Sequence, residues 1–576
     1  MIFNPNSKSD TSRGGAHSAN ASCVMSFLGK KWHLKNNDLQ AFLSENLDNE
    51  TVTFHDPFLM KGMATAVKRL EQAIGKGERI LIFGDYDVDG VSGTAILVHV
   101  LRELGAQVSY RLPDRQSGYG LNTEWVKTFQ ALDVSLLITV DCGISSRVEI
   151  EALVDQGMDV IVTDHHAIPT QIPEKALAIL HPQIDEGNYP FPYLSGSGVA
   201  FKLAVALVST LKGDKEAKIA LTRFADLAAL GTVADCVPLT GENRWIVKQG
   251  LDQLQKTDWI GLKKLLENAG VDPTQAKSYD TDLIGFRIGP RLNAAGRMDT
   301  PYFALQLLLN ENDRADEFVQ KLEEMNRDRQ SQLLEIEKEA EQKMRENGEE
   351  KEKIFILGDP GWPAGIIGLI AARLGEKYHR PTIILEHRGD ECVASCRSPE
   401  YFDIGKALQS MGHHFKTYGG HAGAAGFTIV KDQLEAFIKD MRQYAQEIIQ
   451  DESLESVLPI DFEVEIGDVT FDLVEQLLKR APFGQGNEKP RFVVRGVMLH
   501  NMSTVGREKK HLKFYVRTSG DSLSAIAFKF GEHYPKINAL LDQKSTLDLV
   551  FELDRSIWNG EERLELKVVD IQTRTK

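Results

Sequence analysis

Carboxylate and imidazole side chains follow three apolar segments of this sequence, at the point where each segment ends. The segments are ILIFG at 80–84, LLITV at 136–140 and DVIVT at 159–163. The side chains that follow them are Asp85, Asp87, Asp89, Asp141, Asp164, His165 and His166. A fourth site is Asp235, which closes the segment GTVAD after a predicted helix and a tight turn. Carboxylates held close together repel and take up protons unless cations neutralise them, so the pattern predicts a metal site.

The residue types indicate which metals this site would hold. Oxygen ligands with a neutral imidazole suit Mn²⁺ or Mg²⁺, whereas a structural zinc site would favour thiolates. The carboxylates are too many for one ion, and two ions about 4 Å apart that share a bridging carboxylate are typical of phosphoryl transfer. A single Asp after a strand is often only the N-cap of the next helix. Four such sites that arrive at one edge of a sheet favour metal chemistry instead.

The elements around these residues predict the sheet that would bring them together. Helical spacing of apolar residues at 91–104 and at 146–156 separates the three apolar segments, each of which fits a buried strand. Strands that alternate with helices indicate right-handed crossovers and a mostly parallel sheet, in a unit from about 60 to 300. Such sheets place their ligands at the carboxyl ends of the strands.

The rest of the chain predicts further units. Residues 311–350 are rich in charged residues and Leu without Pro, which indicates a long connecting helix. The α/β pattern then resumes and ends with a helix at about 431–450. After an acidic linker at 451–456 come five short β-rich segments, for which an OB-fold barrel is the first choice. The predicted fold class is therefore α/β, with a parallel catalytic sheet, a connecting helix, a smaller accessory domain and a C-terminal barrel. The predicted domains are 1–59 (an N-terminal extension, partly disordered), 60–305, 306–350, 351–455 and 456–576.

Composition limits the class of protein. No run of about 20 apolar residues is present, so no membrane span is expected, and the polar first residues do not resemble a signal peptide. Five cysteines without metal-site spacing indicate reduced thiols in a cytoplasmic protein. The net charge of −16 argues mildly against nucleic acid, although binding requires only a local basic groove.

Three further segments have residue types that suit a nucleic acid. GGHAGAAGF at 419–427 surrounds His421 with small residues, so that backbone amides and an imidazole could hold a phosphate. Ser395 and Arg397 alternate on a predicted strand, and a hydroxyl with a guanidinium suits a terminal phosphate. In the barrel, 507–517 interleaves basic and aromatic residues, as single-strand binding requires. The residues in question there are Arg507, Lys509, Lys510, Lys513, Phe514 and Tyr515. A tight turn, an exposed edge strand and a solvated strand face are the structural alternatives.

The motifs GDYDVDGVSGTA, VDCG, TDHH and GTVAD, in this order and spacing, resemble the four signature motifs of the DHH phosphoesterase superfamily. The resemblance implies two Mn²⁺ or Mg²⁺ ions held by Asp85, Asp87, Asp141, His165 and Asp235, with Asp141 bridging. It also implies that His166 contacts the scissile phosphate, and that Asp89 and Asp164 support the ligands or bind weakly. Some DHH pyrophosphatases carry a histidine where this chain has Leu81, which weakens that alternative.

Other segments resemble the single-stranded-DNA-specific 5′ exonucleases of this superfamily. GGHAGAAGF resembles the signature of their accessory domain and places His421 near the scissile group. RIGPRLNAAGRMDTP at 287–301 and RLPDRQSGYG at 111–120 resemble two more of their motifs. These motifs imply DNA-binding roles for Arg115, Tyr119, Arg291 and Arg297. The gap from arginine to tyrosine is one residue shorter here than in those relatives, so Arg111 and Arg115 both remain candidates for the phosphate contact.

The resemblance implies an activity and partners. The chain would degrade single-stranded DNA from its 5′ end, with Ser395, Arg397 and Arg291 on the 5′ phosphate, and would release 5′ mononucleotides in DNA repair and recombination. A RecQ-type helicase and a single-strand-binding protein would be partners, and a monomer is expected. The alternatives are a phosphodiesterase for short oligonucleotides, which would not need residues 458–576, and a non-catalytic scaffold, which would not keep every ligand position filled.

Overall fold

The computed structural model describes residues 26–35, 37–44, 53–114, 120–184, 189–271, 279–309, 314–518, 522–558 and 561–573. Within these ranges, no helix combines the length and the apolar character that a membrane span requires. The first two elements are β1 (Lys31–Leu34) and α1 (Leu39–Ser44).

A five-stranded sheet, parallel throughout, forms the first unit. Its order is β3-β2-β4-β5-β6. The elements are α2 (Met63–Lys76), β2 (Arg79–Gly84), α3 (Val88–Glu103), β3 (Gln107–Arg111), α4 (Thr123–Gln130), β4 (Leu136–Val140), α5 (Arg147–Val154), β5 (Asp159–Thr163) and β6 (Ala178–Leu180). Along β2, Ile80 and Ile82 pack into one apolar core, whereas Leu81 and Phe83 pack into another. Both faces of the sheet are therefore covered by helices, as the apolar strands predict.

Helices complete this unit and one of them reaches the carboxyl end of the sheet. They are α6 (Gly196–Lys212), α7 (Asp214–Arg223), α8 (Ala225–Ala234), α9 (Gly241–Leu254), α10 (Ile260–Asn268), a π-helix (Leu283–Ile288), α11 (Gly289–Met298) and α12 (Tyr302–Leu309). Asp235 is the C-terminal cap of α8, so it follows the helix directly and no separate turn precedes it.

A long helix and a mixed sheet form the second unit. The elements are α13 (Ala315–Asn347), β7 (Phe355–Asp359), α14 (Ala364–Tyr378), β8 (Thr382–Arg388), β9 (Glu391–Arg397), α15 (Ile404–Ser410), β10 (Phe415–Gly420), β11 (Ala424–Val430) and α16 (Lys431–Ile448). The strand order is β10-β11-β9-β8-β7, and only the β7–β8 pair is parallel. Leu333 and Ile336 of α13 pack into one core with Ile366 and Ile370 of α14, so the connecting helix is also a structural support.

The C-terminal unit is a curled sheet of seven strands rather than the five that the sequence predicts. The elements are β12 (Val457–Ile460), β13 (Phe462–Glu463), α17 (Phe471–Leu478), β14 (Arg491–Val497), β15 (Leu499–Val505), β16 (His511–Arg517), β17 (Ser522–Ala527), α18 (Tyr534–Asp542), β18 (Leu547–Trp558) and β19 (Glu561–Thr573). The order is β13-β14-β18-β19-β17-β16-β15. Only Met498 separates β14 from β15, yet they lie near opposite ends of this order, so the sheet must curl into a barrel. The prediction missed β13 and β15 because the first is two residues long and the second mixes polar with apolar residues.

The N-terminal segment packs against the barrel, which the sequence does not predict. Strand β1 pairs in parallel with β12. Trp32 Nε1 donates a hydrogen bond to Asp570 Oδ2 at 2.9 Å. Phe42 lies 5.0 Å from Phe462, measured between ring centroids. Residues from the two ends of the described chain therefore form one folded unit.

Candidate metal centre

The first carboxylates lie at the turn between β2 and α3. Asp85 follows the last residue of β2 and is 4% exposed. Asp87 is the N-cap of α3, and its Oδ1 accepts hydrogen bonds from the backbone amides of Asp89 and Gly90 at 2.9 and 3.2 Å. The N-cap alternative is therefore real for Asp87, and the same residue also lies among the other carboxylates. Ligand atoms of Asp85, Asp87 and Asp141 lie within 4.8 Å of one another.

Asp141 stands at the carboxyl end of β4 in an uncommon backbone conformation. Its φ is +62°, in the left-handed region that residues other than glycine seldom adopt, and its side chain is almost fully buried. Strained positions of this kind are concentrated at functional sites. The conformation is consistent with a side chain that has to face the neighbouring carboxylates.

His165 connects Asp141 with the helical side of the site. Its Nε2 lies 3.1 Å from Asp141 Oδ1 and 3.5 Å from Asp235 Oδ2. Asp141 thus belongs to two groups of close ligand atoms, one with Asp85 and Asp87 and one with His165 and His166. This shared position is what a bridging carboxylate between two ions requires.

His166 is held by the aspartate of its own motif. Its Nδ1 lies 2.8 Å from Asp164 Oδ1. Asp164 also accepts hydrogen bonds from the backbone amides of His165, His166 and Ile144. Burial alone would lower the pKa of His166, but the hydrogen bond to Asp164 and the surrounding carboxylates raise it to about 9. Burial alone would raise the pKa of Asp164, but the hydrogen bond to His166, the charge of His166 and the backbone amides lower it to about 2.

Asp89 is bound by the protein itself. Its Oδ2 accepts from the Gly196 amide at 2.6 Å and its Oδ1 accepts from the Ser197 amide at 3.0 Å. These amides lie at the N-terminus of α6, where unpaired N–H groups favour an anion. The contribution of Gly196 and Ser197 was not predicted. The glycine-rich segment SGSG at 195–198, which begins a helix, is the signal that would have found them.

The donor set fits divalent cations on electrostatic grounds. Burial raises the pKa of Asp141 well above its usual range, and the charges of Asp89 and Asp87 raise it further. Burial and the same two neighbours also raise the pKa of Asp235. Burial lowers the pKa of His165, so its ring is neutral and has a lone pair to offer. Cations reverse this balance, because they stabilise each deprotonated carboxylate.

The second unit brings together the residues predicted for a terminal phosphate. Arg397 Nη1 donates to Ser395 Oγ at 3.3 Å, and both residues lie on β9, which is an interior strand and not an exposed edge. Strand β11 pairs with β9 so that Gly426 is opposite Ser395. His421 lies in the turn between β10 and β11, where its amide donates to the Ala424 carbonyl at 2.8 Å. The glycine-rich motif therefore forms a hairpin beside the Ser395–Arg397 pair.

The remaining predicted arginines lie at or near the contact between the two units. Arg297 Nη1 donates to the Gly365 carbonyl at 3.3 Å, which joins α11 to α14. Arg291 forms an ion pair with Glu323 of α13 at 2.8 Å. Arg115 and Tyr119 lie outside the described residues, so their predicted roles stay predictions.

The barrel shows which of the basic and aromatic residues at 507–517 are accessible on its surface. Lys509 and Lys510 are exposed in the turn between β15 and β16, and Lys510 forms an ion pair with Glu508 at 2.6 Å. Phe514 is completely buried in the barrel core and is therefore not available to a bound strand. Alternation along β16 explains this, since Lys513 and Tyr515 face outward and Phe514 faces inward. Lys513 and Tyr515 line a groove of about 1060 Å³ on the barrel surface.

Family models match three parts of the chain. The DHH family N-terminal domain matches residues 79–232, the DHHA1 domain matches residues 351–447, and the RecJ OB domain matches residues 460–570. The α/β fold class with a C-terminal OB domain is thereby confirmed.

Curated proteins and solved structures resemble the chain over most of its length. It is 34% identical over 88% of its length to the single-stranded-DNA-specific exonuclease RecJ of Dickeya dadantii, of which it covers 90%. It is 33% identical over 91% of its length to the protein of the same name from Bacillus subtilis, of which it spans 65%. The crystal structure of RecJ from Thermus thermophilus in complex with Mn²⁺ superposes with a TM-score of 0.77 at 28% identity, over 95% of this chain and 80% of that one.

Proposed function

The chain belongs to the RecJ family, and on that premise we propose that it is a single-stranded-DNA-specific exonuclease that releases mononucleotides from a 5′ end by two-metal-ion hydrolysis. The observation that carries the proposal is the position of Asp141, whose ligand atoms lie within 4.8 Å of those of Asp85 and Asp87 and also of His165 and His166. A buried carboxylate shared by two ligand groups suits a pair of Mn²⁺ or Mg²⁺ ions.

The residues at this centre would have different roles. Asp85, Asp87, Asp141, His165 and Asp235 would hold the cations. When bound, the two cations lower the pKa of water and neutralise charge on the phosphate oxygens. Asp164 accepts from Nδ1 of His166 and raises the pKa of the ring, which favours an imidazolium whose Nε2–H would donate to a phosphate oxygen. Asp89 fixes the start of α3 against the start of α6 and thereby positions the ligands on either side.

The second unit would set the polarity of degradation. Arg397 and Ser395 offer a guanidinium and a hydroxyl at 3.3 Å from each other, which suits the oxygens of a terminal phosphate. Arg291 would contribute to the same end of the strand, whereas His421 would lie near the scissile group. Arg297 connects α11 to α14, and this contact would help to keep the phosphate site at a fixed distance from the metal centre. A fixed distance between the end phosphate and the scissile bond gives mononucleotide products.

The barrel would extend the track for the strand. Its groove is lined by Lys513, which pairs with Glu565 at 2.9 Å, and by Tyr515, and a basic side chain beside an aromatic ring suits single strands in a sequence-tolerant way. This unit favours long strands over the short-oligonucleotide alternative. We further propose a monomer that works in DNA repair and recombination with a RecQ-type helicase and a single-strand-binding protein. The free thiols of Cys142, Cys236, Cys392 and Cys396 support a reducing, cytoplasmic setting.

A nuclease assay on end-labelled oligonucleotides tests the proposal. We expect mononucleotides from the 5′ end of a single strand in the presence of Mn²⁺, no products after chelation, and protection by a block at the 5′ end but not at the 3′ end. A matched duplex is the control and should resist. Activity confined to dinucleotides and trinucleotides would favour the short-oligonucleotide alternative, and strand binding without hydrolysis would favour the scaffold.

A further inference from the structure

A second group of side chains that could hold a metal ion lies in the second unit, outside the carboxylate centre. His413 and His414 belong to a short 3₁₀ turn, Gly412–His414, that precedes β10. Asp440 lies on α16. One ligand atom from each of these residues lies within 4.8 Å of the other two. Two imidazoles and one carboxylate from two separate elements thus converge at one point.

The spacing of the closest pair suits a shared cation. His414 Nε2 lies 3.0 Å from Asp440 Oδ2. Two ligands that each lie about 2.1 Å from one ion, at angles between 90° and 109°, are about 3.0 to 3.4 Å apart. The same separation also suits a hydrogen bond, so distance alone does not choose between a proton and a metal ion.

The other ring nitrogen of His414 adds a second observation. Nδ1 faces the Gln433 amide oxygen at 3.4 Å, and Gln433 lies on the same helix as Asp440. If the neutral ring carries its proton on Nδ1, that nitrogen donates to the amide oxygen and the Nε2 lone pair faces the carboxylate. If Nε2 is protonated, it donates to Asp440 instead. In the first of these states the two lone pairs, 3.0 Å apart, repel unless a cation lies between them, so a bound ion would favour that state. Oriented histidines of this kind, with an acceptor behind the ring, are typical of metal ligands.

His413 supplies access from solvent. Its side chain is exposed, its ring centroid lies 4.1 Å from that of His414, and Asp440 is also about half exposed. The buried member of the group is His414, whose side chain is 5% exposed. An ion can therefore enter from outside and complete its coordination with water.

We propose that His413, His414 and Asp440 form a binding site for a borderline transition ion such as Zn²⁺ or Co²⁺, separate from the carboxylate centre. Two nitrogen donors and one oxygen donor suit such ions, whereas Mg²⁺ and Mn²⁺ favour the oxygen-rich centre. The ion would join α16 to the turn before β10, the strand that leads to the glycine-rich hairpin with His421. The proposal is independent of the nuclease activity.

Metal binding by the full chain tests this site. The background variant is Asp141→Ala, which removes a ligand of the carboxylate centre, and the protein is stripped of metal by chelation. Co²⁺ is then titrated and followed by its visible absorption, and Zn²⁺ is titrated by calorimetry. The variants added to this background are His413→Ala, Asp440→Asn and Gln433→Ala. The matched control is His387→Ala, a half-buried histidine on β8 of the same unit and outside the group.

We expect His413→Ala and Asp440→Asn each to lose one equivalent of Co²⁺ and Zn²⁺ relative to the background, and His387→Ala to keep it. Gln433→Ala should weaken the same equivalent by about 10- to 100-fold, since it only orients His414. The isosteric Asp440→Asn should keep the circular dichroism spectrum, so that loss of metal is separable from misfolding. Equal stoichiometry in all variants would overturn the proposal. So would an NMR signal of a charged His414 imidazolium that persists when Zn²⁺ is present in excess.

Discussion

The backbone amide of Gly196 donates a hydrogen bond of 2.6 Å to Asp89 Oδ2, although the two residues are 107 positions apart in sequence. Gly196 also lies against a second acid, since a Cβ built on it would come within 2.4 Å of Asp141 Oδ1. The first residue of α6 therefore touches the supporting carboxylate Asp89 and the shared carboxylate Asp141 at once. No residue with a side chain can occupy this position without moving one of them.

The first prediction is that Gly196→Ala lowers the turnover number by at least about 100-fold, because a displacement of about 1 Å at a reacting centre has an effect of that size. Gly198→Ala is the matched control, since a Cβ there meets only ordinary contacts of 3.5 Å or more. Steady-state hydrolysis of a labelled single strand measures both. Equal rates for the two variants would show that Asp141 tolerates the shift.

The second prediction is that Asp141→Ala lowers activity by more than about 100-fold on every substrate, since residues that merely orient a metal ligand already contribute 10- to 100-fold. The expected cause is loss of both cations, so Mn²⁺ bound per chain should fall in equilibrium dialysis. Asp155→Ala, which removes an exposed acid after α5, is the control and should change neither quantity. Near-normal activity of Asp141→Ala would contradict the binuclear centre.

The convergence of three side chains at this centre is predictable from the sequence because they follow strands. Strand ends are fixed by apolar runs, and parallel strands deliver their carboxyl ends to one edge. Asp85, Asp141 and His165 lie close together at that edge as expected, and their roles as metal ligands stay predictions. Asp89 shows the limit of the argument, because its partners at the start of α6 come from a segment that apolar periodicity does not connect to the site.

The barrel shows a different limit. Its strands alternate inward and outward, and a shift of one position reverses the role of every side chain. The sequence of basic and aromatic residues around Phe514 does not by itself show which side chains face the core. The pairing of β1 with β12 is also not predictable, since no feature of residues 31–34 indicates that they pair with residues 457–460.

The third prediction concerns the 5′ end. Arg397→Ala should raise KM for a 5′-phosphorylated strand by about 10- to 100-fold, because a hydrogen bond to a charged group contributes about 1.5–3 kcal/mol. It should change KM for a 5′-hydroxyl strand much less. Arg388→Ala removes an exposed arginine from the neighbouring strand β8 and should affect neither substrate. The same loss on both kinds of end would place Arg397 outside the phosphate site.

The fourth prediction concerns Asp226, a fully buried acid in the first turn of α8. Its carboxylate accepts hydrogen bonds from Thr257 Oγ1 at 2.5 Å, from Trp259 Nε1 at 3.1 Å and from the Leu227 amide at 2.8 Å. These bonds lower the pKa of Asp226, but burial outweighs them and raises it to about 6. The folded chain therefore keeps this proton at pH values where an unfolded chain has lost it.

The sign of the effect on stability follows from this difference. Between about pH 4 and pH 6 the folded state binds the proton and the unfolded state does not, so the contribution of Asp226 to the free energy of unfolding falls as the pH rises. The expected fall is about 3 kcal/mol, from two pKa units at 1.36 kcal/mol each, and it is complete above pH 6. Asp226→Asn has no such titration and does not lose this contribution. The free energy of unfolding of the variant minus that of the wild type should therefore increase by about 3 kcal/mol from pH 4 to pH 7. Urea unfolding at several pH values measures the difference, with Asp252→Asn, an exposed acid of α9, as the control that leaves the slope unchanged. A pH-independent difference between Asp226→Asn and the wild type would show that Asp226 is ionised in the folded chain across this range.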